Sequence, residues 1–496
     1  EAAQARVDAD GNTFTTLKER LDTKETQFAS QLAQTEEDLE QRSVNVKWFG
    51  AKGDGTTDDT SSINTAIEYA KQNRRSVYFP SGEYLVSRVN GTEHCLILDH
   101  IENMEVVFDD AKIIGDIDIS DGNIYILYIL NCENVTIRNA QIDVTLFGDP
   151  QETVNIRGIY VSGAGSQERL NNVNLDGCKG TVAHVSGDIP GINHYFIFYN
   201  SESILDCNST ISNCLIDKQC GRAIHLNRVK KINVINNKIT DLGLTDGQGV
   251  GIRCANGCEN ILIDGNTITS ASDINYPISL LHFEDGANHL LNKHIIVTNN
   301  ILDLKTDNVA FGIGLQIYGV NNLIVSNNKF IQSETYQTLL NRSSIGVRFR
   351  NPHGIDNFND KLLFTNNYFS GWMLNIIRND SDRTQNVLFY NNTFDKSLNN
   401  DTDRVSHNVD SFDFKNNWFS STERWGDGLR GNIHKYSTAM PTEGEYKVGD
   451  FIQNVNTFIE GSPPNRYIIR GWIRTTNGFA HQKWVDWWEI REYEPR

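Results

Sequence analysis

The sequence predicts an all-β solenoid, a parallel β-helix, and three observations carry that expectation. The first is a repeated motif. Segments such as "KINVINNKIT" (231–240), "NILIDGNTIT" (260–269), "HIIVTNNILD" (294–303) and "KLLFTNNYFS" (361–370) share one frame of alternating apolar residues, a polar pair ending in Asn or its equivalent, one variable residue and then an apolar one. Asn237, Asn266, Asn300, Asn328, Asn367, Asn392 and Asn417 occupy one register, with gaps of 29, 34, 28, 39, 25 and 25 residues. Repeats of that period mean a solenoid. The second observation is the period-two alternation, which makes the units strands rather than helices. The third is another apolar-alternating tetrad upstream of each motif: "AIHL" (223–226), "GIRC" (251–254), "LLHF" (280–283), "GLQI" (314–317) and "GVRF" (346–349). Each repeat therefore holds several strands, and the uneven gaps are loops of variable length. Stacked coils would bring the repeated Asn side chains about 4.8 Å apart, close enough for an amide ladder.

The elements follow in order. Residues 13–41 read as a helix, with Leu17, Leu21, Phe28, Leu32 and Leu39 on one seam and Glu25 and Thr35 filling the gaps. With no other apolar face to bury it, the seam predicts a short, imperfect coiled-coil stem over residues 1–45. Residues 46–90 hold a Gly/Asp turn, a helix whose apolar face is Ile63, Ala66, Ile67 and Ala70, and a strand ending in Pro-Ser-Gly. In "GDGTTDD", Asp54, Asp58 and Asp59 look catalytic, but turn formation and helix capping explain them better. The solenoid is expected to span 46–435. From 436 to 496 the repeat stops, and short alternating strands rich in Trp and Tyr predict a small β-domain for assembly or ligand contact.

Composition excludes several classes. The formal net charge is −18, a field that repels nucleic acid. No stretch approaches the roughly 20 apolar residues of a membrane span. The chain opens at Glu1 without Met, so its start is read as a processed end or the edge of a longer protein. Eight cysteines in so long a chain are expected to be mostly reduced, and Cys254 and Cys258 lack the His cluster of a zinc site.

Chemistry is expected on the outer wall. In the "AIHL" column the outward set is His225, Arg253, His282, Gln316 and Arg348, taken as substrate-binding residues. Loop carboxylates flank it. Asp246, Asp273 and Asp307 precede the column, and Glu284 and Asp285 follow "LLHF". Asp246, Asp273, Glu284 and Asp285 are the candidate acid and base, since glycoside hydrolysis needs one protonated and one ionised carboxyl. For each Asp alone, a turn or cap is the plainer reading. No cofactor or metal is expected, with a Ca²⁺ ion left open.

Beyond the periodicity, "FGAKGDGTTDDTSSINTAIEYA" (49–70) followed by "VYFPSGEYLVS" (77–87) resembles the opening segment of pectate-lyase-like right-handed β-helix proteins, common among bacteriophage tailspikes and preneck appendages. "ARVDADGNTFTTLKERLD" (5–22) is similar to the linker ahead of such domains in phages of Gram-positive hosts. "YIIRGWIRTTNG" (467–478) with "WVDWWEIRE" (484–492) resembles their tails. The resemblance implies a homotrimer on a virion, made in the host cytoplasm and joined to the tail or baseplate through residues preceding this chain. It also implies recognition of a bacterial surface polysaccharide or teichoic acid, and its depolymerisation. Four chemistries stay open: hydrolysis, β-elimination with His282 as base and Arg253 or Ca²⁺ as neutraliser, teichoic-acid phosphodiester cleavage, and adhesion without catalysis.

Overall fold

The computed structural model describes residues 7, 11–41, 43–120, 122–148, 153–166, 168–184, 192–217, 221–242, 248–270, 274–281, 290–304, 311–332, 343–350, 359–370, 375–380, 384–395, 405–406, 412–419, 434–437, 439–441, 445–446, 448–456, 459–461, 466–475, 478–479 and 487–493. Its body is a right-handed parallel β-helix. Coil strands assemble into one sheet of 22 strands and one of 13. The coil at Gln248–Ala255, Glu259–Asp264 and Thr267–Ser270 is typical, with three strands per turn. Each lies parallel on its counterpart in the next coil, as Ile261 on Ile295 and Ile295 on Leu323.

Inward residues form one continuous core of Ile, Val, Leu, Phe and Cys along the axis. Phe330 stacks on Phe369, and Phe369 on Phe394, at ring separations of 4.6 and 5.1 Å. The described cysteines are buried free thiols, with no disulfide among them. Burial raises the Cys95, Cys132 and Cys207 thiols to about 12, which keeps them protonated and unreactive.

The asparagine register forms the expected ladder. Asn237, Asn266, Asn300, Asn328 and Asn367 each donate Nδ2 to Oδ1 of the next Asn at 2.9–3.0 Å, and Asn392 does the same to Asn417. The backbone N–H of each donates to that same oxygen, as Asn300 to Asn328 at 2.9 Å. The second amide proton goes to a main-chain carbonyl of the preceding coil, as Asn328 to Val297 at 2.9 Å. The preceding residue supplies the sharp corner: Asn236, Asn299, Asn327, Asn366, Asn391 and Asn416 all have φ of 55–57°, the left-handed region Asn tolerates better than most residues.

The helix Thr60–Gln72 closes the first coil with Ile63, Ala66, Ile67 and Ala70 buried. The three aspartates before it are structural. Asp54 accepts from Thr56 and Thr57 N–H, and Asp58 caps Thr60 N–H at 3.0 Å. Asp59 sits at the cap position, but its side chain caps nothing there; it accepts from Lys52 and Gly53 N–H instead. The first helix, Leu17–Gln41, runs unbroken, with Leu17, Leu21 and Phe28 exposed by 48, 54 and 75%. The side chains of Leu32 and Leu39 lie outside the description. The tail forms an antiparallel group in which Tyr467–Arg474 pairs with Phe451–Asn454 and Trp487–Tyr493 around Ile452, Ile469, Trp472 and Trp487. Trp488 is 71% exposed, and Trp484 lies outside the described residues.

Asn328→Ala should lower stability by at least about 2 kcal/mol, because it leaves buried donors of Asn300 and the Val297 carbonyl without partners. Lys329→Ala, one residue on and exposed, should stay within about 0.5 kcal/mol. Urea midpoints of the two variants measure the difference.

Candidate functional site

On the first strand of each coil the alternation breaks once. Two consecutive residues point inward: Ile126 and Leu127, Phe196 and Ile197, Ala223 and Ile224. The strand bends there, and outward side chains on either side meet across the bend. Tyr125 touches Tyr128 at 5.3 Å and Tyr195 touches Phe198 at 4.8 Å between ring centres. At some rungs the bend leaves no room for a side chain. A Cβ at Gly251 would lie 2.5 Å from the Pro277 carbonyl oxygen, and one at Gly158 would lie 2.8 Å from that of Phe196.

Stacking repeats the bend, so the outward residues form a furrow parallel to the axis. One side runs His94, Tyr125, Arg157, Tyr195, Arg222 and Val250. The other runs Tyr128, Tyr160, Phe198, His225, Arg253 and Ser279, then Gln316, Arg348 and Arg378. His225, Arg253, Gln316 and Arg348 thus fall on one column, as the sequence predicts. The rung expected for His282 is held by Ser279 instead, because the strand that pairs there is Ile274–Leu281 and its inward residues are Ile278 and Leu280. His282 itself lies outside the described residues, as do Asp246, Asp273, Glu284, Asp285 and Asp307.

The column is less open than a solvated strand face. His225, Arg253 and Gln316 are only 6, 4 and 4% exposed. Burial, then the positive charges of Arg253, Arg222 and Arg157, push the imidazole of His225 well below its usual value and keep it neutral. Burial and then Arg222 push Arg253 down to about 9. Lower in the furrow, Arg348 and Arg378 each donate Nε to one oxygen of Asp380 at 2.7 Å. Burial opposes ionisation of Asp380, but these two hydrogen bonds outweigh it and hold the carboxyl below the usual range. It is a fixed anion between two guanidinium groups, unsuited to donate a proton. Among the described residues no three His, Cys, Asp or Glu converge as a metal site.

The upper half of the furrow was not foreseen from the sequence. Tyr125, Tyr160, Tyr195 and Phe198 form a buried aromatic cluster with Tyr128 packed on it. The Arg157 guanidinium lies 4.0 Å from the Tyr160 ring centre, 4.5 Å from Phe198 and 4.7 Å from Tyr125. The signal was present: "RGIYV" (157–161) has the same small–apolar–outward–apolar order as "GIRC" and "GLQI".

Residues 43–253 match the family described as rhamnogalacturonase A/epimerase, pectate lyase-like, and residues 157–352 match the right-handed beta helix region. Over 182 residues the chain is 30% identical to the pre-neck appendage protein of Bacillus phage B103, covering 34% of this chain and 19% of that protein. Over 201 residues it is 28% identical to a probable glucan endo-1,3-beta-glucosidase of Arthroderma benhamiae, covering 34% of this chain and 22% of that one. The chain therefore spans less than a quarter of the length of these relatives. Among solved structures, the A-module of the Azotobacter vinelandii mannuronan C-5 epimerase AlgE6 superposes with a TM-score of 0.54 at 14% identity, over 76% of this chain and 99% of that one. That likeness is one of fold.

Because His225 is held neutral, the unfolded chain takes up a proton there below about pH 6.5 while the folded chain does not. Its contribution is present above that pH and is lost as pH falls. His225→Asn should flatten the decline in stability between pH 6.5 and 5, by up to about 1.4 kcal/mol per pH unit, read from urea midpoints across that range.

Proposed function

We propose that this chain is the body of a bacteriophage spike that binds a bacterial surface glycan along the furrow and depolymerises it by hydrolysis. The carrying observation is the furrow itself: aromatic, arginine, histidine and glutamine side chains presented at one level on successive strands, as an extended polymer requires. The likeness to a phage pre-neck appendage protein supports the setting, a virion acting at the host surface, with polysaccharide or teichoic acid as ligand. Likeness to a protein named as a glucanase supports action on glycan. Buried unpaired thiols fit assembly in a reducing host cytoplasm.

The acid and base are assigned to Asp246, Asp273, Glu284 and Asp285. By chain order, Asp246 and Asp273 immediately precede the furrow strands Gln248–Ala255 and Ile274–Leu281, and Glu284 and Asp285 follow the second of these. Carboxyls adjoining these strands in sequence neighbour rungs that the coil fixes, and fixed rungs are the preorganisation catalysis needs. Incubation with host-envelope glycan should release new reducing ends. Asp246→Asn, Asp273→Asn, Glu284→Gln and Asp285→Asn, made singly, should include at least one loss of 10²–10⁴ in rate with glycan binding retained. Wild-type rates in all four would refute the assignment; unsaturated uronate as product would mean a lyase, sugar-phosphate fragments a phosphodiesterase, and binding without product an adhesin.

The spike is read as a homotrimer of parallel chains. Leu262, Ile296, Ile324, Leu363 and Leu388 form an outward apolar column on a second face, with Ile296 and Ile324 exposed by 39 and 40%. Together with the bare apolar side of the first helix, this offers a stripe parallel to the axis for neighbouring copies. Light scattering should give three times the chain mass, and Ile296→Glu with Ile324→Glu should dissociate it; a monomeric wild type would end the reading.

A further inference from the structure

The upper furrow holds positive charge in an aromatic setting. This chain has 63 acidic against 45 basic residues, and several of its arginines are matched by carboxylates. Arg138 pairs with Glu105 and Asp176, Arg169 with Glu102 and Glu133, and Arg348 and Arg378 share Asp380. Arg157 and Arg222 depart from this pattern. Among the described residues neither forms an ion pair, and the Nε of each is buried without a hydrogen-bond partner. Arg157 is held by π faces alone, and Arg222 by the Tyr195 ring at 5.0 Å and by one Nη1 bond of 3.2 Å to the Asn193 side-chain oxygen. Beside them His225 is 6% exposed with both ring nitrogens unpartnered, packed 4.6 Å from Phe198 and 5.2 Å from Tyr195. The carboxylate at the top of the furrow, Glu93, is engaged by the Tyr125 hydroxyl and the Asn123 amide at 2.8 and 3.1 Å.

In register, Arg157 and Arg222 stand two coils apart with Tyr195 between them, about 10 Å along the axis. Cation–π contact fixes each guanidinium in place without supplying a counter-charge. Such a group is a preformed half of an ion pair, and its planar fork matches carboxylate and phosphate oxygens. Both guanidinium groups and the Tyr128 ring are half-buried, so their edges remain within reach.

We infer that the upper furrow selects an anionic glycan, a carbohydrate polymer bearing carboxylate or phosphodiester charge, held by Arg157 and Arg222 with its sugar faces against the aromatic rungs. This rests on the furrow being the glycan site and adds the charge class of the ligand.

The test is affinity electrophoresis of the full chain in gels containing alginate, polygalacturonate, hyaluronate, poly(glycerol phosphate) or neutral dextran. Retardation is expected in at least one polyanion and not in dextran, and the polyanion that works tells uronate from phosphate. Raising NaCl from 50 to 500 mM should abolish it. Arg222→Gln should weaken binding at least tenfold. Arg157→Lys, which keeps the charge and loses the fork, should weaken it less than Arg157→Gln. Folding of each variant is checked by its urea midpoint. No retardation by any polyanion, equal retardation by dextran, or full binding by a folded Arg222→Gln variant would overturn the inference. Host-envelope glycan binding that survives Arg157→Gln and Arg222→Gln but is lost in Tyr128→Ala and Gln316→Ala overturns the charge assignment alone. Survival in all four variants removes the furrow as the site.

Discussion

The asparagine ladder is the constraint on which the rest of this molecule depends. Parallel strands can slip by two residues without exposing their core face, because both registers bury the same side. A stacked Asn cannot slip. From Asn237 to Asn417 each side chain satisfies a main-chain N–H and a neighbouring amide at one end and a carbonyl at the other, all in the interior. A misregistered coil would strand several buried polar groups at once, each costing about 1–3 kcal/mol. The ladder thus fixes the rung on which every outward residue stands, including Arg253, Gln316 and Arg348 across the coil. Above Asn237 the same register passes to Cys214, whose N–H donates to the Asn237 oxygen at 2.9 Å, and the upper coils rely on apolar stacking.

The fold was legible in the sequence because its rule is local. A left-handed Asn followed by an inward Asn, flanked by alternating Ile, Val or Phe, needs no knowledge of the partner coil. The furrow was half legible. His225, Arg253, Gln316 and Arg348 were found because Gly or Ala stands two residues before each, at the bend. The next rung was misread because Pro277 stands in place of that glycine, so "PISL" (277–280) was passed over for the more obviously apolar "LLHF". Read by the bend residue, the rule picks Ser279. The same rule applied upward reaches Tyr160 through Gly158. It fails at Phe198, where Phe196 fills the bend position. The furrow's grouping of Arg157 with four aromatic rings was beyond reach, since it joins residues from three coils.

The two faces of the solenoid carry opposite chemistry for one reason. Both are outward columns on strands whose inward residues are alike. On the second face Ile296 and Ile324 each follow a left-handed residue, His294 and Asn322, by two positions, and their apolar side chains remain exposed. The furrow strands bend, so polar and aromatic side chains converge and shield one another. Inward pairs such as Ala223 and Ile224 draw outward side chains together into a surface suited to a chain-like ligand, while the second face keeps an exposed apolar column.

The repeat spacing carries a further consequence. Between the second and third strands of the described coils from Asn237 on, the connection is a tight two-residue corner ending in Asn, as at Gly265–Asn266 and Asn299–Asn300. From Asn237 to Asn417 coil length varies from 25 to 39 residues, and that variation falls before or after the furrow strand. Along the ladder, length changes therefore fall in the stretches that flank the furrow strand in sequence, and not at the corner that keeps the coils in step. A lineage can replace those stretches wholesale, by recombination or by drift, while inheriting an intact scaffold.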